Sequence, residues 1–417
     1  MKMREGIDTL SWEVHIKRCV CATNLVQNSI SSRFTILKLS ILAPAHRDPL
    51  QRVNDLLKLE CFSRRGFYRI KEIVRKVVPS VRRYKLFSLK IKPYSIMIMQ
   101  MKFVDKLQWG QYVTPLSDKK IPPFNWYSFK HRFGSELVSK IFSEFGLSEG
   151  DTVFDPFLGG STTLIKAKLD GYNAVGLDIS PFSVFLSNVL TTTYSPASLR
   201  QELTKIPHEI DPVVEIPDVA ILDKAFSPQT LKYIYSLRNA INNLELPARD
   251  FFLFSLLSML NNISKAKKSG GFLRITDQKR VSAKIAQKMF LDTSEKLIRD
   301  ISSYNFSGSS VTAVLGDARN YPDSLRHEKY DAILTSPPYP NRHDYTRIYE
   351  LELLVGFINS NRSLKSLRYE TLRSHVEAKK RYDADGYRVP SLFEQIMNEI
   401  KSQNLNNVQV IPTLYGY

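Results

Sequence analysis

Two consecutive strand–turn–helix units are the feature that most constrains the fold of this chain. Residues 152–155 form a short apolar stretch, and a turn with two glycines leads into a helical segment over about 161–169 that Gly171 ends. A second apolar stretch (174–177) and a second helical segment (181–189) follow at similar spacing. Strands joined through helices lie parallel, because each helix carries the chain back across the sheet. The sequence therefore predicts an α/β fold built on an open parallel sheet.

The alternation stops near residue 191 and resumes with apolar stretches at 311–315 and 330–334. Between them, apolar residues recur at helical spacing, as over Ser227–Asn243. A long helical region inside a strand–helix series predicts an inserted unit. We therefore expect four parts: a basic N-terminal extension of doubtful structure, a first half of the sheet, a helical insertion and a second half of the sheet, at residues 1–100, 101–190, 191–310 and 311–417.

The composition is that of a globular protein, with 43% hydrophobic and 24% charged residues. No apolar run approaches the roughly 18 residues that a membrane span needs, and the N-terminus lacks a signal-peptide pattern. Three cysteines, Cys19, Cys21 and Cys61, are too few and too clustered for a disulfide framework. We therefore expect a cytoplasmic protein without a membrane segment.

Most of the formal net charge of +18 lies at the start of the chain, where residues 1–100 hold 20 Lys and Arg against 7 Asp and Glu. A basic surplus is typical of nucleic-acid binding, but here it lies mainly outside the recognisable motifs. Within it, Arg64–Lys92 mixes basic and aromatic residues in a way that suits a phosphate backbone. A solvated basic tail, or sequence upstream of the natural start, has the same composition, so these alternatives stay open.

A glycine-rich turn follows the first strand in the segment Asp155–Thr163, which reads DPFLGGSTT. Two adjacent glycines let the backbone approach a ligand closely. The start of the following helix offers free N–H groups and a partial positive charge to a carboxylate. Ligands of open α/β sheets bind at this edge, so the turn is a candidate binding site, with a purely structural turn as the alternative.

Further acids stand where the second and third strands end. Asp178 can accept both hydroxyls of a ribose, and the alternative is a helix cap before Pro181, a role for which Ser180 is better suited. Asp317 can accept a hydrogen bond from an adenine amino group, or be an ordinary loop aspartate. These acids gain meaning as a set with Asp155, because the carboxyl ends of parallel strands meet at one edge.

The fourth strand ends in Thr335–Tyr339, which reads TSPPY. Two prolines in a row fix φ twice and remove two backbone donors, which leaves a rigid segment with free carbonyls. Such acceptors can orient an exocyclic NH2 group, and Tyr339 offers a flat face for an extruded base. A strand simply ended by proline is the alternative.

Together these motifs resemble those of the DNA amino-methyltransferases, which transfer a methyl group from S-adenosylmethionine to N4 of cytosine or N6 of adenine. Asp155–Thr163 resembles their Asp-Pro-Phe-x-Gly-Ser-Gly-Thr-Thr cofactor motif, except that Gly160 and Ser161 stand where the family has Ser and then Gly. Thr335–Tyr339 resembles their Ser/Thr-Ser-Pro-Pro-Tyr catalytic motif. Phe129–Phe142 resembles more loosely the helix that precedes the cofactor motif.

The resemblance implies a class I, Rossmann-like methyltransferase sheet, with residues 101–190 as its cofactor-binding half and residues 311–417 as its catalytic half. It implies that S-adenosylmethionine is held by Phe133, Asp155, Phe157, Gly159, Gly160, Ser161, Thr162, Asp178, Asp317 and Thr335. It assigns catalysis to Ser336, Pro337, Pro338 and Tyr339. In this family a fifth strand, a helix and an antiparallel hairpin follow the catalytic strand, whereas the residues after Tyr339 read mostly as helix. We therefore expect the C-terminal strands to be missing, which would expose an edge of the sheet.

In the family mechanism the target base is flipped out of the duplex, and its NH2 group bonds to Ser336 and to the carbonyl of Pro337. The nitrogen then attacks a methyl group that the positive sulfur already activates. A serine at position 336 favours cytosine N4 within the family, and adenine N6 is the alternative. No His/Cys cluster indicates a metal.

Sequence recognition is expected from the helical insertion, where a mobile basic loop would contact phosphates or simply be solvated. The predicted DNA-binding residues are Lys265, Lys267, Lys268, Arg274, Lys279, Arg280 and Arg342. Double-stranded DNA is the expected partner, with a cognate restriction endonuclease as a second candidate. Two other functions stay open: methylation of RNA, and nucleic-acid binding without turnover if the sheet is unfinished.

Overall fold

The computed structural model describes residues 107–207, 213–320, 322–325, 329–338 and 344–371, a few helical residues between 391 and 399, and three strands that precede residue 106. Nine strands lie in these parts: β1 (Cys19–Cys21), β2 (Thr35–Ser40), β3 (Gln100–Asp105), β4 (Thr152–Asp155), β5 (Asn173–Asp178), β6 (Ala266–Ser269), β7 (Phe272–Ile275), β8 (Val311–Leu315) and β9 (Ala332–Thr335).

Seven of the strands form one sheet in the order β3-β2-β1-β9-β4-β5-β8, and β6 and β7 form a separate antiparallel hairpin. The five strands from β1 to β8 in this order run parallel to one another, whereas β2 and β3 are antiparallel. The predicted α/β fold with a parallel sheet is therefore confirmed. The basic loop that the sequence predicts around residues 265–275 is instead mostly a hairpin.

Eleven α-helices lie in the described residues between 135 and 371: α1 (Ser135–Phe145), α2 (Thr162–Asp170), α3 (Pro181–Thr191), α4 (Pro196–Leu203), α5 (Ala220–Ala225), α6 (Pro228–Asn242), α7 (Ala248–Ile263), α8 (Ala283–Asp300), α9 (Tyr345–Ile348), α10 (Glu350–Gly356) and α11 (Asn361–Glu370). The predicted glycine stop of α2 is confirmed, since Gly171 takes the left-handed conformation with φ +85°. Among the described residues, no helix combines the length and the apolarity that crossing a membrane requires.

The sheet continues past β9, at the edge that the sequence predicts to be exposed. β1 pairs in parallel with β9, with Val20 opposite Leu334, and β2 and β3 extend the sheet as an antiparallel pair. The expected absence of C-terminal strands stays a prediction. The expectation of an exposed edge beside β9 is wrong, because β1, from the start of the chain, pairs with β9 there. The prediction failed because pairing between segments so distant in sequence leaves no local signal. The basic stretch Arg64–Lys92 lies outside the described residues.

The helices between β5 and β8 share one apolar core with the helices that flank the sheet. α7 is its central element, because it is buried on nearly every side and contacts α3, α4, α6, α8 and α10. Phe251 and Phe254 of α7 pack against Trp126, which precedes the first unit of the sheet. A second core lies under α1, where Leu137 and Phe142 pack with residues of β4 and β9. The helical region is therefore joined through α7 to α3, which packs on β5 and β8 of the sheet.

Candidate active site

One cavity lies at the carboxyl ends of the parallel strands. The turn after β4, the start of the segment after β5, the turn after β8 and the end of β9 all line it. Nine of the predicted site residues line this cavity: Phe133, Phe157, Gly159, Gly160, Thr162, Asp178, Asp317, Ser336 and Pro338. The glycine-rich turn, Asp178, Asp317 and the segment that begins at Thr335 are four motifs far apart in sequence. They meet at one site, because the carboxyl ends of parallel strands lie at the same edge of the sheet.

The remaining predicted site residues do not line the cavity or lie outside the described part of the chain. Asp155, Ser161 and Thr335 are buried, with 1%, 0% and 9% of their surfaces exposed. Pro337 lies between two lining residues without lining the cavity itself. Tyr339 and Arg342 fall outside the described residues.

The glycine-rich turn is shaped by contact with the segment before α1. A Cβ atom on Gly160 would lie 3.0 Å from Cβ of Phe129 and 3.1 Å from Cβ of Arg132, so a side chain there would press on both residues. Ser161, the next residue, has φ +64°, a conformation that favours glycine. Relative to the family motif, Ser and Gly are exchanged. Glycine therefore stands at position 160, next to Phe129 and Arg132, and serine stands at position 161, where φ is positive.

Asp155 stabilises the glycine-rich turn through hydrogen bonds to residues at both ends of it. Its carboxylate accepts hydrogen bonds from the backbone N–H of Phe157 (3.1 Å) and from the hydroxyl of Thr163 (2.7 Å). Burial raises the pKa of Asp155 to about 7, although both hydrogen bonds act in the opposite direction. The side chain thus fixes the ends of the turn to each other and does not face the cavity.

Asp178 joins two turns of the cavity wall. One carboxylate oxygen accepts a hydrogen bond from the N–H of Gly159 (2.9 Å), and the other accepts from the N–H of Ser180 (2.8 Å). Each oxygen keeps further lone pairs for a ligand. Burial raises the pKa of Asp178, and its backbone hydrogen bonds lower it. Ser180 occupies the N-cap position of α3 without a side-chain cap, so Asp178 supplies part of that function.

Asp317 lines the cavity with its carboxylate paired to Arg319. Nε of Arg319 lies 3.0 Å from both carboxylate oxygens, and Nη2 lies 2.6 Å from Oδ2. Nη2 of Arg319 also donates to the backbone carbonyl of Glu370, at the end of α11. The sequence does not reveal this link, which ties the turn after β8 to a helix that follows Thr335–Tyr339.

Among the predicted DNA-binding residues, the structure contradicts Lys268. Its side chain is 8% exposed and pairs with Glu352, with Nζ and Oε1 2.8 Å apart. Arg274, Lys279 and Arg280 are exposed, whereas Lys265 and Lys267 are half-buried. Strand alternation explains the error, because successive residues of β6 point to opposite faces and Lys268 points inward.

Lys268 belongs to a buried polar cluster behind the cavity. Its Nζ donates to the hydroxyl of Tyr127 (2.6 Å) and lies 4.3 Å from the centre of the Tyr349 ring. The same carboxylate oxygen of Glu352 accepts from Tyr127 (2.6 Å) and from Asn261 (2.8 Å). Burial lowers the pKa of Lys268, and the Glu352 carboxylate acts against this. The cluster thus holds Lys268 and Glu352 as a buried ion pair, and each of them offsets the cost of burying the other.

Tyr349 connects this cluster to the cavity. Its ring stacks on Phe129 with centres 4.4 Å apart, and both rings line the cavity. Its hydroxyl accepts a hydrogen bond from the N–H of Lys130 at 2.7 Å. The aromatic wall of the site therefore rests directly on the Lys268–Glu352 pair.

We expect Ser161→Gly to raise the free energy of unfolding by about 1 kcal/mol, because it relieves the positive φ. It also removes a buried hydroxyl that has no hydrogen-bond partner. Thermal and urea unfolding measure the effect. Gly160→Ala is the matched control and should destabilise the protein, because its Cβ would meet Phe129 and Arg132. A loss of stability in Ser161→Gly would contradict this account of the turn.

The stability contributed by Asp155 should depend on pH. Because its pKa is higher in the folded protein (about 7) than in the unfolded chain (3.8), its contribution is fully present below about pH 4 and is lost as the pH rises through 7. The wild type should therefore lose stability relative to Asp155→Asn between pH 5 and 8, by on the order of 2 kcal/mol. Urea unfolding across this range measures it, and parallel profiles would contradict it.

Lys268→Met should lower the free energy of unfolding by about 3–5 kcal/mol, because it leaves Glu352 charged and buried without a cation. The double variant Lys268→Met/Glu352→Leu should lose less than the sum of the single variants, which a double-mutant cycle of urea unfolding measures. Lys205→Met, in the exposed Lys205–Glu202 pair, is the control and should change stability by less than about 1 kcal/mol. Additive losses would contradict the pairing.

Comparisons with known proteins agree with the motifs. Residues 135–323 match the family model described as D12 class N6 adenine-specific DNA methyltransferase. The Type II methyltransferase M.BsoBI of Geobacillus stearothermophilus is 32% identical over 289 residues, which are 61% of this chain and 56% of that protein. M.AvaI of Nostoc sp. is 24% identical over 76% of this chain and 74% of its own length. M.MvaI of Kocuria varians is 23% identical over 45% of this chain and 46% of its own length.

The chain thus spans about half the length of M.BsoBI. No solved structure matches significantly. Within the described residues, no group of His, Cys, Asp or Glu is arranged to hold a metal ion. The matching sequences, and the meeting of the four motifs at one cavity, confirm that this chain resembles the S-adenosylmethionine-dependent DNA amino-methyltransferases.

Proposed function

We propose that this chain transfers a methyl group from S-adenosylmethionine to an exocyclic amine of a base in double-stranded DNA. The observation that carries the proposal is that Asp178, Asp317 and Ser336 line the same cavity, although they follow three different strands. The names of the matching relatives, all Type II methyltransferases, support it.

The cavity residues fit the cofactor. Gly159 and Gly160 bring backbone close to the site, and a Cβ atom on Gly160 would be crowded by Phe129 and Arg132. Asp178 would accept the ribose hydroxyls with the lone pairs that its two backbone hydrogen bonds leave free. Asp317, held by Arg319, would accept a hydrogen bond from the adenine amino group. Phe129 and Tyr349, which stack on each other, add an apolar part to the cavity wall.

The cofactor supplies a methyl carbon that a positive sulfur already activates, so the protein mainly has to position the base. Ser336 and Pro338 line the cavity at the end of β9, and the two prolines hold this segment rigid. The Ser336 hydroxyl and the Pro337 carbonyl would bond to the NH2 group of the base and direct its nitrogen lone pair into the cavity. Tyr339 would stack on the extruded base.

Two observations favour different target bases. The description of the matching family model names adenine N6, and it gives no support to cytosine N4. Ser336, in place of an acidic residue or asparagine, favours cytosine N4. We take adenine N6 as the target that the comparisons favour and cytosine N4 as the second candidate. The proposal also includes a cytoplasmic location. It further includes a cognate restriction endonuclease, since restriction–modification systems pair a methyltransferase with an endonuclease.

The direct test incubates the protein with tritiated S-adenosylmethionine and unmethylated mixed-sequence duplex DNA, followed by digestion to nucleosides. Label in N6-methyladenine or in N4-methylcytosine supports the proposal and identifies the base. Label in RNA alone, offered in parallel, would replace DNA by RNA as substrate. Cofactor binding without transfer to either polymer would leave a nucleic-acid-binding protein without turnover and would overturn the proposal.

Ser336→Ala should lower the rate of methyl transfer by about a hundredfold or more, because the amine loses a positioning contact. Cofactor affinity should stay within about twofold, since the substitution removes only a hydroxyl at the base side of the cavity. Single-turnover rates and calorimetric binding of S-adenosylmethionine separate the two effects. Ser302→Ala, on an exposed residue after α8, is the control and should match the wild type. An unchanged transfer rate in Ser336→Ala would remove Ser336 from the catalytic residues.

A further inference from the structure

The β6–β7 hairpin has one face turned inward and one turned outward. Phe272 and Arg274 of β7 are exposed, whereas Leu273 and Ile275 between and after them pack against the core. Phe272 keeps 51% of its surface exposed, although a phenyl ring gains from burial. In the register of the hairpin, Phe272 lies opposite Ser269, next to the turn at residues 270–271. The hairpin thus presents an aromatic ring at its tip.

The hairpin is held firmly in spite of this exposed tip. Lys268 of β6 reaches inward to the carboxylate of Glu352 and the hydroxyl of Tyr127, both of which are buried. The backbone N–H of Thr276, just after β7, bonds to the carbonyl of Lys265 at 2.9 Å. A ring carried by such an anchored hairpin has a defined position relative to the cavity.

The hairpin lies beside the part of the site that would receive the base. β7 contacts α9, and Tyr345 and Thr346 of α9 line the cavity. α9 begins a few residues after Pro338, which also lines it. β7 therefore lies close to α9, and through α9 it lies near the part of the cavity next to the end of β9.

The charge near Phe272 complements a nucleic acid. Arg274 shares its face of the hairpin, and Lys279 and Arg280 follow β7 and are exposed. A base that leaves the duplex opens a gap between its neighbours, and proteins that distort DNA often place an apolar side chain between bases. An exposed phenyl ring flanked by cations has the chemistry for such a gap.

We propose that Phe272 inserts into the duplex beside the extruded base and fills the space that the base leaves, while Arg274 contacts a neighbouring phosphate. This proposal rests on the proposed methyl transfer to duplex DNA. It assigns to the hairpin a role in opening the duplex, and it makes Phe272 a positioning residue that does not touch the reacting atoms.

The test compares two duplexes once sequencing of DNA treated with the wild-type protein has located the methylated base. One duplex carries this site fully paired, and the other has an abasic position opposite the target base, which makes the base easier to extrude. Single-turnover methyl transfer is measured for the wild type, Phe272→Ala, Phe272→Leu and the control Leu246→Ala. Leu246 is 59% exposed in the turn between α6 and α7 and does not line the cavity.

On the paired duplex, Phe272→Ala should be slower by about tenfold or more, because the cost of unstacking and unpairing the base is then no longer offset by the inserted ring. On the abasic duplex the loss should shrink to about twofold. Phe272→Leu should recover part of the rate, since it restores an apolar side chain, and Leu246→Ala should match the wild type on both duplexes. Affinity for S-adenosylmethionine should not change in any variant.

Two results would overturn the proposal while the proposed function stands. One is a rate of Phe272→Ala within about twofold of the wild type on the paired duplex. The other is an equal loss on both duplexes, which would make the ring a contact without a part in extrusion. If the wild type itself transfers no methyl group to DNA, the proposed function fails, and this inference fails with it.

Discussion

The carboxylate of Asp178 accepts hydrogen bonds from the N–H groups of Gly159 and Ser180, and so it joins the turns that follow two neighbouring strands. Since β4 and β5 are parallel, these turns emerge at the same edge, and a single side chain can reach both. Asp155 secures the other side of the first turn through Phe157 and Thr163. The shape of the cavity floor thus depends on two acids that both bind backbone, Asp155, which is buried, and Asp178, which lines the cavity.

The parts of the fold that the sequence predicts are those with short-range signals. The strand–helix units around Asp155 and Asp178 carry local periodicity, and the ends of parallel strands must meet, so the grouping of these acids with Asp317 and Ser336 was predictable. The inward orientation of Lys268 had a local cause in strand alternation, but it could be used only once a hairpin was recognised there. A run of lysines with glycines suggested a loop instead.

Other contacts have no local signal at all. Glu352 lies 84 residues from its partner Lys268, and Arg319 reaches the carbonyl of Glu370 across 51 residues. Such pairs depend on how helices pack around the sheet, which a single sequence does not reveal. They also have a common effect, because they fix two helices that follow Thr335–Tyr339 to the hairpin and to the turn after β8, both of which precede it. The walls of the cavity are therefore held from outside as well as from the sheet.

The pairing of β1 with β9 has a consequence for how the chain acquires its structure. During synthesis β1 leaves the ribosome long before residues 332–335, its parallel neighbour in the sheet, have been made. β4 and β5 can pair early, whereas the strand between β4 and β1 arrives late and must enter between partners already present. Contacts of such separation slow folding and prolong the exposure of unpaired strand edges. Assembly of β9 into the sheet should thus be a late event, and the strand edges that stay unpaired until then favour aggregation of nascent chains.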